Sequence, residues 1–184
     1  MSLLITLLIC STELHAQKFE KLVDKFTGRT TYYTKFQDIY RKATVSNNVP
    51  DAVSCSIFKV SDSLYLCLSM KMGGFKRVEI AEGAKLYLKP ATGPATILLA
   101  ASTEQSEIIQ SSYDGTSITQ MYRLTDKDID ILRITQISDI RVEHTSGKID
   151  YAIKSKKSEI IKKALTECSR FNYSAALLNG YSPP

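Results

Sequence analysis

Two runs of alternating residues, 53–60 and 64–72, flank Ser61-Asp62-Ser63 and predict a β-hairpin. Pairing them about Asp62 sets Val60 opposite Leu64 and Phe58 opposite Leu66, with Leu68 and Met70 extending that face into the core. Cys55, Lys59, Tyr65, Cys67, Ser69 and Lys71 then occupy the other face, where Cys55 and Cys67 are diagonal and read as free thiols. A second hairpin is expected from residues 139–144 and 149–153. A four-residue loop, Thr145-Ser146-Gly147-Lys148, pairs Val142 with Tyr151 and Ile140 with Ile153.

The other elements follow from the same periodicities. Residues 17–28 carry Phe19, Leu22, Val23 and Phe26 at helical spacing before Gly28, which predicts a short amphipathic helix. Thr30-Thr31-Tyr32-Tyr33 opens a strand toward Tyr40, and residues 46–51 form a loop. After Gly73-Gly74, strands are expected at 75–80, at 84–89 with Leu86 and Leu88 inward, and at 118–124. The continuous apolar run 95–101 predicts a central strand, and residues 103–115 a long surface loop. Thr125 caps a short helix near 126–133, with Asp126 and Asp128 at its positive end and Ile129, Ile131 and Leu132 on its apolar side. A C-terminal helix near 156–171 carries the stripe Ile160, Ile161, Ala164, Leu165, Cys168 and Phe171. Lys156, Lys157, Lys162, Lys163 and Glu167 face outward. Together these predict an α+β fold of about 8–9 mainly antiparallel strands, a sandwich or barrel-like sheet system with the C-terminal helix packed on it.

The first sixteen residues follow a different logic. Leu3, Leu4, Ile5, Leu7, Leu8, Ile9 and Cys10 form an apolar run too short to cross a bilayer but suited to a secretory signal, although no Lys or Arg precedes it. Ala16 supplies the small residue for cleavage. Residues 1–16 are therefore expected to be a signal peptide and 17–184 a single β-rich domain, periplasmic or extracellular. Lipid attachment at Cys10 is disfavoured because Ile9 is not small.

Composition narrows the function classes. At 43% hydrophobic and 23% charged residues the chain is ordinary globular protein. Its net charge of +5 becomes +6 once the leader takes Glu13 with it, too dispersed to predict nucleic-acid binding. Cys55, Cys67 and Cys168 have no metal-ligand spacing, and His144 is the single histidine of the mature chain, so no metal or cofactor is expected. His144 has no nominated acid or nucleophile beside it. Ser56-Ile-Phe-Lys59 matches an S-x-x-K string, but a strand sends its serine and lysine to opposite faces. Cys168 reads as a buried thiol, and Gly73-Gly74 and Gly93 as turns. No catalytic residue is nominated.

Two surface features remain. Lys154, Lys156, Lys157, Lys162 and Lys163 with Arg170 form a basic cluster, read mainly as a solvated helix face. Ten tyrosines against no tryptophan, with Tyr32-Tyr33 on an expected edge, provide material for a contact surface.

Several stretches carry a resemblance: Asp24-Lys-Phe-Thr-Gly28 with Thr30-Thr31; Gly73-Gly74 followed by Val78-Glu-Ile80 and Leu86-Tyr-Leu88; and Tyr122-Arg-Leu-Thr125 through Asp128-Ile129 and Leu132 to Ile140-Arg-Val142. In these the chain resembles uncharacterised secreted β-rich proteins of the Bacteroidetes type. The resemblance implies export and fold, and brings no activity with it.

The functional expectation is an exported, non-enzymatic binding module that meets another protein or an envelope component, without nucleic acid and without a transmembrane segment. The alternatives are a barrel-like carrier of a small apolar ligand and, behind it, a hydrolase. N-terminal sequencing of the native protein is expected to begin at Gln17. Intact Met1 in the cytoplasmic fraction would refute the signal peptide.

Overall fold

A computed structural model of the chain describes residues 20–42, 50–74, 77–110 and 114–168. In chain order the strands are β1 (Glu20–Val23), β2 (Thr30–Tyr33), β3 (Gln37–Lys42), β4 (Asp51–Val60), β5 (Ser63–Gly73), β6 (Glu79–Ile80), β7 (Lys85–Pro90), β8 (Thr96–Ala100), β9 (Glu104–Gln105), β10 (Glu107–Gln110), β11 (Asp114–Leu124), β12 (Ile137–His144) and β13 (Gly147–Ala152). Helix α1 (Asp126–Ile134) joins β11 to β12. A 3-10 turn (Ser155–Lys157) leads into α2, residues 160–168.

All the pairings are antiparallel, and the main sheet runs β1-β2-β4-β5-β11-β8-β7-β12-β13. β3 adds to β4 beside β2, and β10 adds to β11 beside β8. β6 and β9 form a separate pair. The fold is α+β, and the sheet is not closed into a barrel. Its two ends meet through side chains: Tyr40 of β3 lies against Tyr151 of β13, ring centroids 5.0 Å apart. A bulge in β3 lets both Ile39 and Tyr40 pack on the core.

The inward face is mainly apolar, with Thr116 and Gln120 of β11 as buried polar exceptions. It runs through Val53, Cys55 and Ile57 of β4, Leu66, Leu68 and Met70 of β5, and Ile118 and Tyr122 of β11. Leu98, Leu86, Leu88, Ile140 and Val142 continue it across β8, β7 and β12. Helix α2 spans the open side. Ile161 shares a dry seam with Ile39, Ile137, Ile140 and Ile153, while Cys168, at the other end, lies close enough to Lys59 and Arg133 to feel their charge. Ile161, Ala164, Leu165 and Cys168 are all buried. The stripe expected for the C-terminal helix is therefore real through Cys168. It begins with the 3-10 turn rather than a helical Lys156, and Phe171 lies outside the described residues.

Helix α1 starts where the sequence placed it. Asp128 N donates to Thr125 Oγ1 at 3.2 Å and Thr125 N to Asp128 Oδ2 at 2.9 Å, a reciprocal capping box. Ile129 and Leu132 are buried, whereas Ile131 faces solvent.

The hairpin registers differ from expectation in an instructive way. Between β4 and β5 the turn has two residues, Ser61-Asp62, with Ser61 at φ 53°, so Val60 pairs with Ser63 and Ile57 with Leu66. This one-residue slip exchanges the faces of β4. Cys55 enters the core opposite Leu68, Phe58 turns outward, and Cys67 sits on the other face opposite Ser56. All three described cysteines are free. Between β12 and β13 the loop is also two residues, Thr145-Ser146, and Val142 pairs with Ile149 and Ile140 with Tyr151. That slip is two residues, so the inward set survives.

Three further expectations are corrected. Residues 20–23 form a strand rather than a helix; residues 17–19 lie outside the described residues. Pairing with Thr30–Tyr33 supplies β1 with ladder hydrogen bonds, and its apolar residues stay exposed, so helical spacing there marked no buried face. Residues 103–115 hold β9, β10 and the start of β11 rather than a loop. The run at 95–101 is central in order, but Ile97 (48%) and Leu99 (52%) are exposed, so β8 is buried on one side only. Of the strand expected at 75–80, Glu79 and Ile80 form β6 while 75 and 76 lie outside the described residues. Most of the expected loop 46–51 lies outside them too.

Leu165→Ala is expected to cost about 2–4 kcal/mol of unfolding free energy by urea denaturation. Lys163→Ala, which loses an exposed ion pair to Glu159 at 3.2 Å, is expected to change it by about 0.5 kcal/mol or less. Equal, mild effects would mean that α2 is not docked.

Candidate functional site

The residues weighed in the sequence do not converge. Ser56 is buried and donates its hydroxyl to Thr34 O, while Thr34 Oγ1 accepts from Ile57 N at 2.9 Å. This joint seals β4 to the end of β2. Lys59 has the opposite parity and lines a groove at the sheet's end. His144 is half-buried at the end of β12, where its Nδ1 accepts from Ser146 N at 3.2 Å across the tight turn. Among the described residues no group of three or more His, Cys, Asp or Glu side chains could hold a metal ion. Lys154, Lys156 and Lys163 are exposed and Lys157 and Lys162 half-buried; Arg170 lies outside the described residues.

The thiols are inert by environment. Burial pushes both Cys55 and Cys67 up to about 12, with Cys67 adding to the effect on Cys55 and Glu104 to that on Cys67. Burial also raises Cys168.

The core interior has polar atoms without partners. Gln120 Nε2 donates to Ser102 O at 2.7 Å, but among the described residues its Oε1 has no partner, nor do the buried hydroxyls of Tyr122 and Tyr151. Burial raises both tyrosines well above the ordinary phenol, and Tyr151 adds to the shift of Tyr122. These groups interrupt an otherwise apolar set.

The larger surface openings lie elsewhere. A groove of about 850 Å³ between the β4–β5 turn and α1 is lined by Lys59, Arg123 and Arg133 and by Asp62, Asp126 and Asp130. Three basic groups against three acids give it no preferred charge.

The outward face of the sheet is more distinctive. Backbone pairing aligns one residue from each strand in a row: Glu20, Tyr33, Phe58, Tyr65, Arg123, Leu99 and Lys85, across β1, β2, β4, β5, β11, β8 and β7. Tyr33 stacks on Phe58 at 5.3 Å and 19°, and Phe36 adds a tilted contact with Phe58 at 6.1 Å. The adjacent row is Ile97, Tyr87, Arg141 and Asp150. Between Tyr65, Arg123, Ile97 and Leu99 the surface dips into a depression of about 430 Å³. Beyond Tyr87 a second dip, of about 350 Å³, is bounded by Arg141 and Asp150.

Ion pairs fix the far side of this face. Arg141 grips Asp150 with two bonds, Nε–Oδ1 2.6 Å and Nη2–Oδ2 2.8 Å. Tyr87 donates its hydroxyl to Glu143 at 2.9 Å, Lys148 reaches the same carboxylate at 3.2 Å, and its ammonium lies 5.8 Å from the Tyr87 ring centre. The Tyr87 hydroxyl first, and Lys148 after it, hold the Glu143 carboxyl below its usual range; Arg141 does the same for Asp150. On this face exposed apolar side chains are set among Tyr and Arg, the combination found in protein interface cores.

The sequence names Tyr33 as contact material and puts Tyr65 on the outward face, but it places Phe58 inward and does not single out Arg123, Ile97 or Leu99. The signal was the odd–even parity of β4 and β8, legible only once the turn length and strand order were known.

The raised thiols and tyrosines set the alkaline behaviour. Their folded pKa values exceed the unfolded ones, so their stabilising contribution is complete below about pH 9 and is lost as pH rises toward about 12. The urea midpoint is expected to fall between pH 8 and pH 10.5, and iodoacetamide to label these cysteines only in denaturant. Rapid native labelling at pH 8 would refute their burial. No family model, curated protein or solved structure matches this chain.

Proposed function

We propose that the protein is an exported, non-enzymatic binding module that engages another protein or an envelope component through the outward face of its sheet. The observation that carries this reading is the exposure of Ile97 (48%) and Leu99 (52%) on an interior strand, framed by Tyr65, Tyr87, Arg123 and Arg141. Folding has no use for those two side chains, because Leu98 and Ala100 already supply the inward burial of β8. Tyrosine and arginine around a small apolar centre match the composition of protein interface cores, where large rigid groups desolvate at low entropic cost. The apolar run at 3–10 with Ala16 supports export, and with it a partner outside the cytoplasm. Among the described residues no helix is long and apolar enough to cross a membrane.

The test compares the mature chain with an Ile97→Asp/Leu99→Asp variant in cross-linking to an envelope extract. The variant is expected to lose its specific adduct about tenfold or more, with its melting temperature kept, since both positions are half exposed. An adduct undiminished in the variant would overturn the outward-face assignment. Hydrolysis of an envelope component by the purified chain would overturn the non-enzymatic reading.

A further inference from the structure

We propose that the tip of the β1–β2 hairpin docks on an anionic lipid surface, a site separate from the outward face and argued independently of it. The hairpin stands at one end of the sheet path, and among the described residues β1 pairs with β2 alone. Residues 21–29 are all exposed. Within five positions they present Leu22 (59%), Val23 (47%) and Phe26 (99%) to solvent. A phenylalanine that is almost wholly exposed is the extreme case among the described large apolar residues, and Leu22 and Val23, on opposite faces of β1, bracket it at the same tip.

The turn is built to hold Phe26 out. Asp24 Oδ1 accepts from Phe26 N at 2.8 Å and Thr27 N at 3.1 Å. Gly28 N donates to Asp24 O at 2.8 Å and Asp24 N to Arg29 O at 2.9 Å. Gly28 closes the turn at φ 68°, which a glycine adopts without strain. The amides of Asp24, Phe26, Thr27 and Gly28 are thus satisfied from within the hairpin.

Charge selects the occupant. Both carboxylates of the hairpin are engaged internally: Asp24 by the turn amides, and Glu20 by Lys35 at 3.6 Å and by the Tyr33 hydroxyl. Lys21, Lys25 and Arg29 flank the apolar tip and outnumber Asp24, which stays ionised and feels Arg29, so the tip is net positive. Hydrocarbon accepts Phe26, Val23 and Leu22, while headgroup phosphates accept the three cations; a bilayer interface offers both at that spacing. A second copy of this chain would set like charges against each other.

The rest of that end of the sheet is charge-balanced, with Asp62, Asp126 and Asp130 set among Lys59, Arg123 and Arg133, so the excess of positive charge lies at the hairpin tip.

The experiment measures co-sedimentation of the full mature chain with phosphatidylcholine vesicles, with and without phosphatidylglycerol, at low and high salt. Binding is expected only with phosphatidylglycerol and is expected to weaken with salt. Phe26→Ser and the Lys25→Glu/Arg29→Glu pair are each expected to lower it about tenfold or more, with unchanged melting temperatures. Leu99→Asp, on the outward face, is expected to bind as the wild type, which separates this site from the other. Absence of wild-type binding to phosphatidylglycerol vesicles, or wild-type binding by either tip variant, would overturn the proposal. So would Phe26-dependent self-association without vesicle binding, which would identify a second copy as the occupant.

Discussion

The two-residue turn at Ser61-Asp62 is the constraint on which the rest of the molecule depends. Side chains alternate with a period of two, so the turn length decides which half of β4 is inside. With Val60 against Ser63, the β4 residues Val53, Cys55 and Ile57 face inward beside Met70, Leu68 and Leu66. The long β5–β11 ladder carries that choice onward, setting Ile118 beside Met70 and Tyr122 beside Leu66. Ser61 accepts a positive φ of 53° to make this possible. The strain is small against the apolar area that the register buries.

The same choice creates the outward row. A loop one residue longer would bury Phe58 and expose Cys55 and Ile57, and Tyr33 would lose its stacking partner. Core and contact surface are thus two consequences of one turn. Sealing α2 over the open side completes the enclosure without a closed barrel, because a helix can satisfy its own backbone where a sheet edge cannot. The unpartnered groups of Gln120, Tyr122 and Tyr151 are the weak points of that enclosure, since buried polar atoms oppose folding wherever they lack a partner.

Legibility in the sequence followed the range of the physics. Helix α1 was readable because its capping box is a three-residue affair, Thr125 to Asp128. Leu86 and Leu88 were readable because their strand alternates cleanly. Turn length was not, because Ser-Asp-Ser gives no strong signal for φ > 0, and one misplaced residue exchanges two faces. The β12–β13 hairpin tolerated an error of two, since its inward set has the same parity either way. The helical spacing at Leu22, Val23 and Phe26 misled for a different reason: those residues pack on nothing. The outward surface was illegible in principle, because Tyr33, Phe58, Tyr65, Arg123 and Leu99 come from strands whose order in the sheet departs from their order in the chain.

Two kinds of exposed apolar residue therefore need separate explanations. At the sheet edge, β13 carries Lys148 and Asp150 outward in ion pairs with Glu143 and Arg141, the usual guard against unwanted strand pairing. Interior strand β8 nevertheless presents Ile97 and Leu99, where Thr or Lys would preserve the ladder and the inward Leu98 equally well. The hairpin tip likewise presents Phe26 from a turn whose geometry depends on Asp24 and Gly28 and not on the aromatic ring. In both places the local fold of the described residues is satisfied without the apolar side chain, and the two proposed contacts each give such a side chain a use.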